Sequence, residues 1–318
     1  MAQTTFSLQT SLKQTAGKPS SHRIQDAIVD DDDAELVKSV LTGKAGNSFL
    51  NVAATVDGNL AIADQSNGFA IAQGLVTGKS EYHKFGEAPD FDATDGEVTI
   101  WDGAEDGTTW ELMNYVYSTT ADIDSLSSSN AADTQDITIE GLDANFDEVI
   151  QTVALNGQTR VALSTSLIRV FRAYNGNSTD LAGHVFIYVN GALTGGVPNT
   201  KADIRAIINP NNQQTQMSLY TVPAGKTAYI FDWRAATAGS SKNSNYRIKL
   251  RARLFGKIFR VKHIVSISDN GSSAYDHKYS IPESYPEKTD IEMTAEMLAA
   301  GATAAAVSSC FDMILVDD

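Results

Sequence analysis

The stretch Val149-Ile-Gln-Thr-Val-Ala-Leu-Asn-Gly-Gln-Thr-Arg-Val-Ala-Leu163 decides the fold class of this chain. Two runs rich in β-branched and apolar residues flank Asn156-Gly157, and each run has the length of a single strand. Both central residues of a type I′ turn need a positive φ, which Asn and Gly adopt most readily. The stretch therefore predicts an antiparallel hairpin.

Similar strand and turn signals recur along most of the chain. Asp57-Gly58-Asn59 separates two short apolar runs, Asn190-Gly191 follows a third run, and Pro223-Ala-Gly225 lies between two more. The predicted strands follow one another about every 8–12 residues, without long helical segments between them. This pattern predicts a mainly β chain built of antiparallel β-sandwich or jelly-roll-like domains, and it argues against a βαβ fold.

One short helix is predicted before this β region. Asp32 and Glu35 have the spacing of a capping box, and Gly43 is placed to end the helix. We therefore expect a short N-terminal helical arm at the start of the chain. The predicted organisation is an arm and anchoring segment over 1–67, a β domain over 68–200 and a β-sandwich domain over 201–318.

The charge of the chain restricts its partners. Its 318 residues include 24 Lys and Arg against 39 Asp and Glu, for a net charge of −15, which argues against nucleic-acid binding. No apolar run approaches the roughly 20 residues of a membrane span, so no membrane partner is expected. Residues 1–160 carry a balance of −18 and residues 161–318 a balance of +3. Oppositely biased halves favour association between copies of the chain.

The segment 242–262 contains eight basic residues and no acidic one. In a strand, side chains alternate between faces, so its cations share one face and Ile248 and Leu250 share the other. Single-strand nucleic-acid binders place aromatic residues among such cations, and this face has none. We therefore expect docking on an acidic surface of a neighbouring copy. The predicted self-association residues are Arg247, Lys249, Arg251 and Arg253 on one copy and Asp30, Asp31, Asp32 and Asp33 on another.

Motifs for catalysis or for cofactor binding are missing from the sequence. The segment from Gly74 to Ser80 ends like a P-loop but has three residues between its glycines, where the motif needs four. There is no Gly-x-Ser-x-Gly motif, and no two histidines have the i, i+4 spacing of a zinc site. We therefore predict no enzyme, no catalytic residue, no cofactor and no metal ligand set. The acidic clusters over 90–97 and 102–111 leave an irregular calcium site open.

Six strand-and-turn phrases occur in order along the chain. They are His83-Lys-Phe-Gly86, Val98-Thr-Ile-Trp-Asp-Gly103, Ile137-Thr-Ile-Glu-Gly-Leu-Asp143, Gln151-Thr-Val-Ala-Leu-Asn-Gly157, Leu167-Ile-Arg-Val-Phe-Arg172 and Leu219-Tyr-Thr-Val-Pro-Ala-Gly-Lys-Thr-Ala-Tyr229. Their order and spacing resemble a family of virion structural proteins encoded by tailed bacteriophages, many of them marine. The resemblance covers about residues 68–318. It implies a β-rich particle component without a catalytic motif, such as a capsid decoration, a head fibre, or a neck or collar protein.

Together, the residues and the resemblance predict a non-enzymatic virion structural protein. The expected partners are the chain itself, as a homo-oligomer with a trimer favoured, and other virion proteins such as capsid or neck proteins. The first residues lack the apolar core of a signal peptide, so we expect assembly in the host cytoplasm and localisation in the virion.

A carbohydrate-binding adhesin on the same β scaffold is the alternative function. Exposed aromatic rings would stack on sugars, and the candidates are Trp101, Trp110, Tyr115 and Tyr117. We favour a place in the core for these residues, because aromatic side chains bury large areas there. A glycan-cleaving enzyme is a third hypothesis, since the separation of a carboxylate pair cannot be read from sequence.

Overall fold

The computed structural model describes residues 43–45, 48–50, 53–54, 60–61, 67–91, 93–104, 112, 114–239, 244–269, 272–299 and 305–318. Contacts divide the chain into two units, Met1–Leu75 and Val76–Asp318. In the first unit, two antiparallel pairs, β1–β2 and β3–β4, precede one short helix. Their bounds are β1 Gly43–Ala45, β2 Ser48–Leu50, β3 Ala53–Ala54, β4 Leu60–Ala61 and α1 Asn67–Ala72.

The described part of the second unit consists mainly of strands. They are β5 Lys79–Phe91, β6 Glu97–Thr99, β7 Ile123–Ser128, β8 Asp136–Leu142, β9 Glu148–Ala154, β10 Val161–Leu167, β11 Arg169–Asn175, β12 Val185–Val189, β13 Leu193–Thr194, β14 Val197–Pro198, β15 Ile204–Ile208, β16 Leu219–Thr221, β17 Lys226–Gly239, β18 Ser244–Leu254, β19 Arg260–Asp269, β20 Ser272–Tyr285, β21 Thr289–Ala299 and β22 Ala305–Asp317. Two 3₁₀ turns span Asp102–Ala104 and Lys201–Asp203.

Eight of these strands form a jelly roll. In chain order they are β5, β16, β17, β18, β19, β20, β21 and β22. The first strand pairs with the eighth, the second with the seventh, the third with the sixth and the fourth with the fifth, always antiparallel. Two further pairings, β17 with β22 and β18 with β21, complete two sheets with the orders β20-β17-β22-β5 and β16-β21-β18-β19. This nested pairing is that of one long hairpin rolled into two sheets, which is the jelly-roll architecture.

A smaller β-sandwich is inserted between the first and second strands of the jelly roll. Its sheets have the orders β10-β7-β12-β15 and β11-β8-β9, and both are antiparallel. The short strand β6, just before the insertion, pairs with β21. Buried side chains of the inserted sandwich and of the jelly roll belong to one core cluster. The prediction of a mainly antiparallel β fold with sandwich and jelly-roll architecture is therefore confirmed.

The turn at Asn156-Gly157 is present, but the predicted hairpin is wrong. Gly157 has a φ of 54°, and Asn156 forms an isolated bridge with Thr159. However, β9 pairs with β8 and β10 pairs with β7, so the chain crosses here from one sheet to the other. A Cβ on Gly157 would lie 2.5 Å from the carbonyl oxygen of Ala131, so this crossing requires glycine.

The hairpin predicted at Asn190-Gly191 is also wrong. Its strand β12 pairs with β7 on one side and β15 on the other, so neither edge is free for the residues that follow the turn. The tight two-residue turn lies further on, at Gly195-Gly196, where φ is 57° and 81° and β13 pairs with β14. The pairing of β3 with β4 confirms the hairpin predicted around Asp57-Gly58-Asn59, whose turn lies outside the described residues.

The predicted helix over 34–43 lies outside the described residues, except for Gly43, which begins β1. The division at residues 67 and 200 stays a prediction. Strands β12 and β15, which lie on either side of residue 200, pair within one sheet of the inserted sandwich.

Candidate functional site

Strand β18 has the two faces predicted from its alternating sequence. Tyr246, Ile248, Leu250 and Ala252 are buried in the core. The four cations Arg247, Lys249, Arg251 and Arg253 occupy the other face and are partly exposed. The sequence therefore predicts the local geometry of this strand correctly.

The two cations at the end of β18 are paired with carboxylates of β21. Arg253 lies directly opposite Asp290 in the register, and its Nε donates to Oδ2 at 3.1 Å. Arg251 lies opposite Glu292, and its Nε donates to Oε1 at 3.1 Å. Opposite charges that face each other across two strands stabilise a sheet. Both carboxylates are buried, so these pairs are shielded from solvent.

The other two cations of β18 are paired in the same way. Arg247 lies opposite Glu296, with 3.3 Å between Nη1 and Oε2. Lys249 lies opposite Thr294 and donates to Oε2 of Glu97, on the short strand β6, at 2.6 Å. Although burial alone would raise it, the pKa of Glu97 is lowered because Lys249 and Thr294 donate hydrogen bonds to its carboxylate. All four predicted cations thus have partners within their own chain.

A buried ion pair joins this face of the jelly roll to the inserted sandwich. Arg169 begins β11 of the sandwich and is 1% exposed, and Asp290 is fully buried. The guanidinium binds the carboxylate in a bidentate manner, with Nε–Oδ1 at 2.8 Å and Nη2–Oδ2 at 3.1 Å. It also donates to the carbonyl oxygen of Ser118 at 2.6 Å, and Thr221 donates to Asp290 at 2.7 Å. We call the whole network the charged seam, and its members are Glu97, Arg169, Arg247, Lys249, Arg251, Arg253, Asp290, Glu292 and Glu296.

Aromatic rings cover part of the charged seam. The Tyr117 hydroxyl donates to Oε2 of Glu292 at 3.1 Å, and its ring lies 5.1 Å from Cζ of Arg169 and 4.8 Å from Cζ of Arg253. The Phe259 ring lies 4.3 Å from Cζ of Arg253. Stacking of this kind adds cation–π attraction to the ion pairs. Burial raises the pKa of Glu292, and the Arg251 charge opposes that rise.

The predicted acidic partners Asp30, Asp31, Asp32 and Asp33 lie outside the described residues, so contact between copies through these residues stays a prediction. The sequence analysis missed the carboxylates that pair with β18 in the structure. A signal for them exists, because Asp290, Glu292 and Glu296 alternate with apolar residues at the same period as the four cations.

A second contact between the jelly roll and the inserted sandwich involves a buried lysine. Lys84 of β5 donates to the carbonyl oxygen of Phe171 on β11. Burial, with a smaller contribution from the Arg172 charge, lowers the pKa of Lys84 to about 7. Nearby, the Tyr82 hydroxyl donates to Oε2 of Glu140 at 2.8 Å. The first jelly-roll strand is therefore fixed to the sandwich by polar contacts from two alternate positions, Tyr82 and Lys84, which lie on the same face of the strand.

Two histidines stack between the two sheets of the jelly roll. His263 of β19 and His277 of β20 have ring centroids 4.3 Å apart, and Trp233 packs against His263 at 5.1 Å. Burial lowers the pKa of His263, and the neighbouring His277 lowers it further. This cluster lies between β19 and β20, the edge strands of the two sheets.

The aromatic residues considered for sugar binding are not presented together on a surface. Trp101 is fully buried and its ring packs edge-on against Tyr115, which is also buried. The prediction that these two residues fill the core is confirmed. Tyr117 belongs to the cover of the charged seam, and Trp110 lies outside the described residues.

An open groove with a volume of about 620 Å³ lies beside the turn between β18 and β19. We define it by Leu254, Lys257, Ile258, Arg260, Tyr285 and Pro286. Leu254 and Ile258 are exposed, the latter by 77%. Among the described residues, Lys257 and Arg260 are not within 4.0 Å of any carboxylate oxygen. The groove thus combines unpaired cations with exposed apolar side chains.

Other sites considered from the sequence have ordinary structural roles. Gly74 and Gly78, in the P-loop-like segment, have positive φ values and form turns that lead into β5. Within the described ranges, no group of three His, Cys, Asp or Glu side chains is placed to hold a metal ion. Cys310 is half-buried on β22. In the part of the chain that the structure describes, no helix has the length and apolar character to cross a membrane.

Comparisons with known proteins give no family. No family model matches the chain, and no curated protein matches it. Among solved structures, a chain from empty particles (top component) of cowpea mosaic virus is 11% identical with a TM-score of 0.19, covering 61% of this chain and 80% of its own. A chain of broad bean stain virus is 13% identical with a TM-score of 0.16, covering 62% and 84%. A chain of infectious bursal disease virus, Gt strain, is 10% identical with a TM-score of 0.20, covering 76% and 71%. Similarities at this level carry no argument about this chain.

Proposed function

We propose that this chain is a non-enzymatic virion structural protein that self-associates and docks on other virion proteins. The observation that carries the proposal is the nested pairing of eight strands, from β5 with β22 inward to β18 with β19. Jelly rolls of this kind build viral capsid domains, and they also build lectin domains. The proposal is an argument from fold, supported by the six phrases that resemble phage virion proteins.

The charged seam supports a structural role rather than a chemical one. Its buried Arg169 joins the two β modules through three hydrogen bonds, two to Asp290 and one to Thr221. Taking such a pair out of water costs several kcal/mol per ion, so its value lies in geometry more than in net stability. A bidentate pair permits one arrangement of its partners. A particle component that must keep one shape suits this design.

The solution mass and shape of the purified full chain test the proposal. Light scattering gives the mass and negative-stain imaging gives the shape. A trimer or an elongated particle supports a capsid decoration or head fibre, and a ring of six or twelve supports a neck or collar protein. A monomer at every concentration tested contradicts self-association.

A carbohydrate-binding adhesin remains the second candidate, because lectin domains share the jelly-roll fold. The burial of Trp101 and Tyr115 removes two of its proposed stacking residues. A glycan array tests it directly. Specific binding of host-cell polysaccharide by a monomeric chain would favour the adhesin. The absence of binding to every glycan on the array would count against it.

A further inference from the structure

The described part of the basic segment, residues 244–262, divides into two parts with different partners. Its first part belongs to the charged seam, where every cation of β18 has a carboxylate of the same chain. Its second part forms the turn after β18 and the start of β19. There, Lys262 is paired with Glu283 at 2.9 Å, while Lys257 and Arg260 are exposed and have no ion-pair partner among the described residues.

The unpaired cations lie on the open groove together with exposed apolar side chains. Leu254 is 48% exposed and Ile258 is 77% exposed. A ligand for this groove therefore needs carboxylates for the cations and apolar side chains for the exposed Leu and Ile.

One segment of the same sequence has this composition. Residues 30–41 read Asp-Asp-Asp-Asp-Ala-Glu-Leu-Val-Lys-Ser-Val-Leu, with five carboxylates followed by four large apolar residues. The charge balance of residues 1–160, −18, places an excess of carboxylates in the same half of the chain. Complementary charge and matched apolar content make this segment the occupant that the groove fits.

We propose that the open groove of one copy binds the segment 30–41 of a second copy. The inference rests on the proposed self-association. It assigns the basic side of the contact to Lys257 and Arg260, and not to the four cations of β18 that the sequence predicted. The contact is heterologous, because a groove on one copy receives a segment of the next. Contacts of this type produce closed rings when the rotation closes, which is compatible with a trimer or a larger ring.

Mixing two variants of the full chain tests this inference. The groove variant is Lys257→Glu with Arg260→Glu, and the segment variant is Asp31→Lys with Asp32→Lys. Each variant alone should associate at least tenfold more weakly than the natural chain in light scattering at low salt. An equal mixture should regain association, because the intact segment of one variant meets the intact groove of the other, and the Glu-bearing groove meets a Lys-bearing segment of opposite charge.

The matched control is Lys201→Glu with Lys278→Glu, which makes the same charge change at two other exposed positions without an ion pair among the described residues. It should associate like the natural chain. At a concentration low enough to dissociate the natural oligomer, the groove variant should keep the natural thermal midpoint, because its two positions are exposed.

The outcomes separate the inference from the proposed function. If the natural chain and the groove variant form the same oligomer, the groove is not the interface, and self-association through another surface stands. If each variant is monomeric but the mixture does not associate, the segment 30–41 is not the partner of the groove in a second copy. If the natural chain itself is monomeric, both the inference and the proposed self-association fail.

Discussion

The charged seam and the open groove are two basic regions of one sequence segment, and they differ in what neutralises them. In the seam, Arg247, Arg251 and Arg253 of β18 lie directly opposite carboxylates of β21, so their register pairs them, and Lys249 binds Glu97 of β6. At the groove, Lys257 lies in the turn after β18, and Arg260 begins β19, whose described pairing is with the basic strand β18. A run of basic residues therefore indicates an external partner only after the neighbouring strands have been assigned.

Burial produces a second contrast, within the seam itself. The Arg169–Asp290 pair is almost completely shielded from water, whereas both side chains of the Arg247–Glu296 pair are about one-third exposed. Exposed pairs contribute little to stability, while the loss of one partner from a buried pair leaves a charge without compensation. The four predictions below compare charged groups of different burial, two inside the seam and two outside it, beginning with the largest effect.

Replacing Arg169 with Met should break the seam at its most buried point. Asp290 would lose its bidentate partner and keep only Arg253 and Thr221, so the free energy of unfolding should fall by about 3–5 kcal/mol. Urea unfolding measures the loss. The control is Arg172→Met on the same strand. The Arg172 side chain is 47% exposed, and its Nη1 lies 3.9 Å from Oε1 of Glu140. Its replacement should change the free energy of unfolding by less than about 1 kcal/mol. Equal losses in the two variants would contradict this dependence on burial.

Lys84 is a buried cation that, unlike Arg169, forms no ion pair with a carboxylate of the described residues, so it should respond to pH. Its pKa is about 7 in the folded chain and about 10.4 when unfolded, so between these values the unfolded state holds more protons. The free energy of unfolding should therefore rise with pH, by roughly 2 kcal/mol between pH 7.5 and 9. Urea titrations across this range should show the rise in the natural chain and its absence in Lys84→Met.

His263 should give a smaller dependence in the acid range. Its pKa is lowered by burial and by His277, so the unfolded chain takes up the proton first as the pH falls below about 6.5. Stability should therefore decrease between pH 7 and pH 5. Thermal unfolding of His263→Phe should show a shallower decrease than the natural chain, and an unchanged slope would show that the stacked pair is not a source of it.

Arg247→Gln should have the smallest effect in the series. The Arg247–Glu296 pair is exposed enough to be screened, so its loss should cost about 0.5 kcal/mol or less, and 1 M salt should remove the difference. Urea unfolding with and without salt measures both. A loss as large as that of Arg169→Met would mean that position in the seam, and not burial, decides the energetics.

Parts of the fold were accessible from sequence because their patterns are regular. The alternation from Tyr246 to Ala252 correctly predicts which side chains of β18 are buried, whereas Leu254, at the end of the strand, is 48% exposed. Strand β5 is not predicted, because its inward positions are Lys84, Gly86 and Ala88, which do not form an apolar pattern. Position 86 requires glycine because the backbone of a distant residue packs against it. A Cβ there would lie 2.3 Å from the backbone nitrogen of Ser218.

The partners of each strand were less accessible than the strands themselves. The turn at Asn156-Gly157 has the chemistry of a hairpin, yet tertiary packing uses it to cross between sheets. The acidic alternation over 290–296 was readable, but pairing it with β18 requires the jelly-roll topology. Strand β20 is also not predicted from the sequence. Its alternate, partly buried positions hold Tyr275, His277 and Tyr279, which do not form an aliphatic pattern.

The closure of the jelly roll, by pairing of β5 with β22, is the central claim, and one engineered disulfide tests it. The natural chain has one cysteine, Cys310, which lies directly opposite Phe85 in the register. Opposite residues of antiparallel strands have Cα atoms about 4.5–5.5 Å apart, within the range of a disulfide. Free thiols are counted after mild oxidation of the full-length Phe85→Cys chain, with Glu87→Cys, which lies opposite Ser308, as the control. The account predicts no free thiol in Phe85→Cys and two in the control; two free thiols in both would contradict the jelly roll.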